Sequence, residues 1–203
     1  ALRRIDWKST ARLGHPHVRT FDPSHGHRVL VLTECGTSEQ PWRYRPERLE
    51  AVVAAAASVC VHAIELGHRV GLVANGLPVG STSRLARPVI APAAGARQLD
   101  VLMHSLARVQ PMPTWGIAHM LSEYGERMLG PLHQFTLVYV TALAREETLD
   151  RLSEEVRHGA TACCIYVGPG DPPDRPGLRV FDYSAQFLDE RLDKVSGDTV
   201  LYA

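Results

Sequence analysis

Net charge is what this chain lacks most plainly: 22 Lys and Arg residues balance 22 Asp and Glu. A chain without excess charge of either sign carries no global signal for a polyanion or an anionic membrane. Cysteine is scarce. The four present (Cys35, Cys60, Cys163, Cys164) form no Cys-x-x-Cys pair and no regular framework, which excludes a thiolate zinc motif and a disulfide scaffold. Reduced thiols in a cytosolic domain are the expectation, with the adjacent Cys163 and Cys164 on opposite faces of a strand. Long apolar runs are also missing. The longest, Ala51 to Val61, covers 11 residues, against roughly 20 needed to cross a bilayer. Arg3 and Arg4 are followed by Asp6 and Trp7, with no apolar stretch of the signal-peptide kind behind them. No internal repeat is visible.

What is present is an alternation of strand and helix patterns over 203 residues, a length suited to one domain with one good core. Short continuous apolar runs at Arg28–Thr33, Arg69–Ala74, Phe135–Thr141 and Thr161–Val167 have the character of strands covered on both faces. Pro46 opens a long helical pattern stopped by Gly67, apolar enough around its circumference to be covered on most sides. Further helices are expected from Leu99 to Val109, from an N-cap at Thr114 (with Ile117, Met120, Leu121, Tyr124 and Met128 on one face), and from Glu146 to His158. Val180 and Phe181 sit in a short strand; Leu188, Leu192 and Val195 indicate a last helix and Thr199 to Tyr202 a last strand. Residues 76–96 and the proline-rich Gly168–Gly177 segment read as loops. The pattern predicts a layered, mostly parallel α/β sheet. Ligands of such sheets bind beyond the carboxyl ends of the strands, here loops 33–45, 75–96, 141–146 and 168–177.

The most distinctive segment is Arg3 to Arg12, which reads Arg-Arg-Ile-Asp-Trp-Lys-Ser-Thr-Ala-Arg. With Gly14, Val18-Arg19, the Val70–Gly76 run Val-Gly-Leu-Val-Ala-Asn-Gly and the Leu-Ala-Arg at 106–108, it resembles the bacterial "domain of unknown function 58" family over roughly the first 110 residues. The resemblance implies a von Willebrand factor A-like fold: a doubly wound, mostly parallel sheet with helices on both faces. It also implies a parent anchored in the inner membrane, with this domain cytoplasmic, and a MoxR-type AAA+ ATPase as partner. It implies no reaction. The motif's place at the start of the chain leads to the expectation of membrane-anchoring segments upstream.

Many A-type domains hold a divalent cation through Asp-x-Ser-x-Ser after the first strand. Mg²⁺ requires hard oxygen ligands in an octahedral array. Here the candidate positions are Thr33, Cys35 and Thr37 in one register, or Glu34, Gly36 and Ser38 in the other. The third loop, Thr141-Ala142-Leu143, carries no carboxylate before Glu146. A degenerate site without Mg²⁺ is the expectation.

Other candidates have simpler readings beside the chemical ones. His15, His17, His25 and His27 could supply zinc ligands, but Pro16 and Gly26 interrupt the pairs, and exposed loop histidines are the simpler reading. The helical His62, His104 and His119 can be merely solvated. Cys35 lies just past a strand end, where a nucleophile could sit, yet no hydrolase elbow surrounds it; a buried inert thiol is the plainer reading. Gly76–Thr82 lacks the lysine of a phosphate loop, and Gly168-x-Gly170 is followed by prolines and not by a helix. Residues 1–27 form a basic arm whose Arg4, Asp6, Trp7, Arg12 and Arg19 suit a structural clamp first, partner docking second and nucleic acid third. The reading as a whole is a domain at 28–203 that serves as a non-enzymatic interaction scaffold or adaptor for the ATPase. The alternatives are a metal-dependent ligand-binding domain and a Cys/His hydrolase.

Overall fold

Strand β1 (Arg28–Thr33) runs through the centre of the sheet, and all of its residues from Val29 to Thr33 are buried. Alternation sends Val29 and Val31 into one core layer and Leu30 and Leu32 into the other. The structure, a computed structural model, describes residues 27–40, 43–81, 88–112, 115–184 and 199–200. The arm residues Arg4, Asp6, Trp7, Arg12 and Arg19 therefore lie outside the described residues. So do His15, His17, His25, Thr82, Thr114, Tyr202 and the expected last helix at Leu188, Leu192 and Val195.

The remaining strands are β2 (Arg43–Tyr44), β3 (Arg69–Ala74), β4 (Leu77–Pro78), β5 (Val89–Ala93), β6 (Val109–Gln110), β7 (Phe135–Thr141), β8 (Thr161–Tyr166), β9 (Arg179–Asp182) and β10 (Thr199–Val200). The main sheet has the order β5-β3-β1-β7-β8-β9. Every pairing in it is parallel except that of β3 with β5. Helices α1 (Pro46–Glu65) and α2 (Ala96–Ala107) cover the face bearing Val29, Val31, Val138 and Val140. Helices α3 (Ile117–Tyr124) and α4 (Glu146–Arg157) cover the face bearing Leu30, Leu32, Leu137 and Tyr139. The expected doubly wound α/β sheet with helices on both faces is thus present. Strand order reverses between β1 and β7, which opens a crevice at their carboxyl ends.

Two helix ends follow directly from glycine. Gly67 and Gly159 adopt φ of 78° and 100°. Each sits one residue past its helix's C-cap, and the backbone bonds Gly67 N to Ile64 O and His68 N to Ala63 O complete a Schellman motif, repeated at Gly159 and Ala160. Cys163 and Cys164 point into opposite layers, as the strand period requires.

Three features depart from the sequence expectations. Residues 76–96 are not all loop. Leu77–Pro78 pairs antiparallel with Val109–Gln110, and Val89–Ala93 forms the sheet's antiparallel edge. Strand β5 accommodates Pro92 because it is an edge and because its register with β3 shifts between Val70 and Leu72. Gln98 holds this irregularity, donating from Nε2 to Val70 O at 2.7 Å and Ala91 O at 3.0 Å. Helix α1 is covered less fully than its composition suggests: Glu50, Ala54, Ser58 and His62 form an exposed stripe. Finally, α3 runs into a π-turn at Gly125–Leu129. The extra residue moves the inward position from Met128, which is 53% exposed, to Leu129, which is 6% exposed.

Candidate functional site

The crevice between β1 and β7 contains a cleft of about 300 Å³. Its floor is the loop after β1, and its walls come from the loop after β3, the segment before α3 and the first turn of α4. Parallel pairing brings these ends to one level: Thr33 is opposite Ala74 on one side and Val140 on the other.

Glu34 is the first residue beyond β1 and is 1% exposed. Its backbone N–H continues the sheet ladder to Val140 O at 3.0 Å. Its Oε1 accepts from Asn75 Nδ2 at 2.6 Å and from Gly36 N at 3.0 Å. Burial disfavours the carboxylate and pushes the Glu34 carboxyl above its ordinary value; the bonds from Asn75 and Gly36 and the charge of Arg145 pull less strongly the other way. Its Oε2 is enclosed and has no hydrogen-bond partner among the described residues.

Asn75 is the opposite half of the frame, also 1% exposed. Its Oδ1 accepts from Cys35 N at 2.7 Å, and its Nδ2 also donates to Trp115 O at 3.2 Å. One amide thus joins the loops after β1 and β3 to the segment leading into α3. Gly76 follows because nothing larger fits: a Cβ there would lie 2.6 Å from Gln110 O and 2.9 Å from Cys35 Sγ. Arg145, just before α4, donates from Nη2 to Ser38 O at 3.4 Å, and its N–H reaches the Tyr139 hydroxyl at 3.5 Å. Tyr139 is fully buried, and burial, reinforced by the nearby Glu34 charge, holds its phenol well above the usual value. The Trp115 ring meets His119 edge-on at 4.9 Å and stacks on Tyr124 at 6.2 Å.

The structure places the candidate metal positions individually. Thr33 is buried, with its hydroxyl unpartnered. Cys35 is buried with its thiol turned toward Thr33 O, and Thr37 Oγ1 accepts the Arg45 N–H at 2.8 Å. In the other register only Glu34 carries a carboxylate. Gly36 faces it with an N–H, and Ser38 offers its carbonyl to Arg145 and its hydroxyl to Gln40 N. The loop after β7 contributes a guanidinium where a metal site would want another carboxylate. This donor set does not fit an octahedral hard cation. Cys35 is not among the residues lining the cleft. His27 is exposed and lies edge-on to His68 at 5.3 Å, so the part of the histidine cluster that is described forms a surface ring pair. Arg28, the first residue of β1, stacks over the Phe135 ring at 5.6 Å and donates to Gln134 Oε1. The Gly76 segment enters strand β4, and Gly168 is pressed against Ala142 O and the Tyr166 ring; neither forms a phosphate loop.

Sequence reading located Glu34 and the loop around it but passed over Asn75, Trp115 and Arg145. The available signal was the Asn75-Gly76 pair at the end of β3, which entered the sequence reading only as part of the family run.

The family described as "Protein of unknown function DUF58" matches residues 1–141. The chain belongs to this family. That match includes the opening Arg-x-Ile-Asp-Trp run and the loops of β1 and β3 that build the cleft. No curated protein matches the chain. Among solved structures, the von Willebrand factor A domain of SpRpn10 is similar, at 13% identity over 84% of this chain and 95% of that one, with a TM-score of 0.43. Among the described residues, no helix is long and apolar enough to cross a membrane.

Proposed function

We propose that this DUF58 domain is a non-enzymatic interaction scaffold or adaptor that works with a MoxR-type AAA+ ATPase in assembly or cell-envelope processes. Its parent is anchored in the inner membrane, with this domain on the cytoplasmic side. The observation that carries the reading is the frame at the cleft floor. Glu34 and Asn75 bond to each other at 2.6 Å, and to the backbone of Cys35, Gly36 and Trp115 at 2.7 to 3.2 Å. Such a frame holds loops in a fixed shape for docking. The arm residues Arg4, Asp6, Trp7, Arg12 and Arg19 act in this reading as a clamp, with Trp7 packed against the domain. The test is a pull-down of the full-length protein with the neighbouring ATPase, in wild-type and Trp7→Ala forms. Capture by the wild type supports the adaptor role, and no enrichment over control beads contradicts it. Unchanged stability and unchanged capture in Trp7→Ala would remove the clamp.

The second reading is a divalent-metal-dependent binding domain. The unpartnered Glu34 Oε2 is the observation in its favour. Titration with Mg²⁺ and Mn²⁺ decides it: binding heat and a raised Tm belong to the metal reading, and neither is expected here.

A further inference from the structure

The two edges of the main sheet are built differently. Strand β5, at one edge, carries Pro92 and a register shift against β3, two of the devices by which edge strands resist pairing with another chain. Strand β9, at the other edge, has neither. It reads Arg-Val-Phe-Asp and follows β8 in unbroken parallel register from Arg179 to Asp182. Aromatic side chains are exposed along it: Phe181 by 39% and Tyr183, just beyond its end, by 38%. Among the described residues, no strand pairs with its outer side.

Backbone direction decides what that side offers. The Tyr183 N–H donates inward to Tyr166 O at 2.8 Å. Hydrogen-bonding direction alternates along a strand. Arg179, Phe181 and Tyr183 therefore face β8 with their N–H and C=O groups, and Val180 and Asp182 turn theirs outward. An added antiparallel strand must exchange its bonds with Val180 and Asp182. The same segment of a second copy meets that requirement. With Val180 opposite the copy's Asp182, and Asp182 opposite its Val180, four main-chain hydrogen bonds form. Phe181 then lies opposite Phe181 of the copy at a non-hydrogen-bonded position, where side chains approach most closely. Arg179 lies opposite the copy's Tyr183, a cation against an aromatic ring. The Asp182 carboxylate stays turned to its own chain, accepting from Ser184 N at 2.9 Å and Ser184 Oγ at 2.6 Å. The neighbouring registers are poorer: one sets Asp182 against Asp182, and the other sets Tyr183 against Gly177, which has no side chain.

We propose that β9 is a self-association edge. Two copies of this chain pair antiparallel through residues 179–183, about a two-fold axis between their Phe181 rings, and their sheets become one continuous sheet. None of these residues lines the cleft, so the inference is independent of the docking reading there.

The test uses the 203-residue chain. Sedimentation velocity at rising concentration should show the 22.3 kDa chain passing to a species of twice that mass. Val180→Pro deletes an outward N–H and leaves the bonds to β8 in place. Phe181→Ser removes the central ring pair at an exposed position. Each should raise the dimer dissociation constant at least about tenfold, with an unchanged far-ultraviolet circular dichroism spectrum. Val101→Ser, which removes a comparably exposed apolar side chain from α2, should leave the constant unchanged. Introduced thiols read the register. Phe181→Cys places two thiols across the axis with Cα atoms about 4.5 Å apart, within disulfide reach, and oxidised glutathione should convert it to a covalent dimer. Arg179→Cys separates them by about 14 Å along the strands and should stay uncrosslinked, like the wild type. A chain that sediments as a monomer at every concentration leaves the edge to some other partner and overturns the proposal. So does a dimer that survives both β9 variants, or an Arg179→Cys chain that crosslinks as readily as Phe181→Cys.

Discussion

At the scale of single residues, burial and neighbouring charge pull Glu34 in opposite directions, and burial prevails. The consequence for stability has a definite sign. Below the ordinary value of 4.5 the carboxyl is protonated in both folded and unfolded chains. As the pH rises above 4.5, the unfolded chain ionises first, so the stability Glu34 contributes is lost until the pH passes the raised folded value. Glu34→Gln cannot ionise and escapes that loss. Urea unfolding of both proteins from pH 4.5 to pH 8 should show the variant gaining on the wild type as pH rises; a pH-independent difference would contradict the burial argument. The thiols allow a second test. Burial pushes Cys60 and Cys164 up to about 12, and Cys35 is fully buried. Cys163 is only partly buried. A disulfide reagent at pH 8 should therefore label Cys163 slowly in the native chain and reach the other three only on unfolding. Fast labelling of Cys35 would instead restore it as a nucleophile.

At the scale of elements, the strands buried on both faces and the long helices were legible because their signals are local. Val29–Leu32 is apolar throughout, Pro46 opens α1, and Gly67 and Gly159 close α1 and α4 with positive φ. Strand β5 was not legible. Pro92 within Val-Ile-Ala-Pro-Ala argues against a strand, and only the edge position and the register shift held by Gln98 make it one. The π-turn after α3 was equally hidden, since one inserted residue alters the register without altering composition. It yields a sharp prediction. On a straight helix Met128 would face the core; past the π-turn Leu129 does. Leu129→Ala should lower stability by about 2–5 kcal/mol, and Met128→Ser by no more than about 0.5 kcal/mol, measured by denaturant unfolding. The reverse order would mean that the helix runs straight.

At the scale of the whole molecule, topology makes the site and sequence supplies only its parts. Asn75 meets Glu34 across 41 residues, and Arg145 meets Ser38 across 107. Parallel pairing of β3, β1 and β7 brings them together, and no local pattern records it. The loop at Glu34, Gly36 and Ser38 was readable, while the frame that ties it to Asn75 was not. The cleft sits at the reversal of strand order, where this architecture binds its ligands, and we propose that a MoxR-type ATPase docks there. Hydrogen–deuterium exchange of the domain with and without the MoxR-type ATPase tests that claim most directly. Protection is expected at residues 34–40, 75–76, 115–116 and 142–148 together. Protection confined to other surfaces, or none at saturating ATPase, would contradict it.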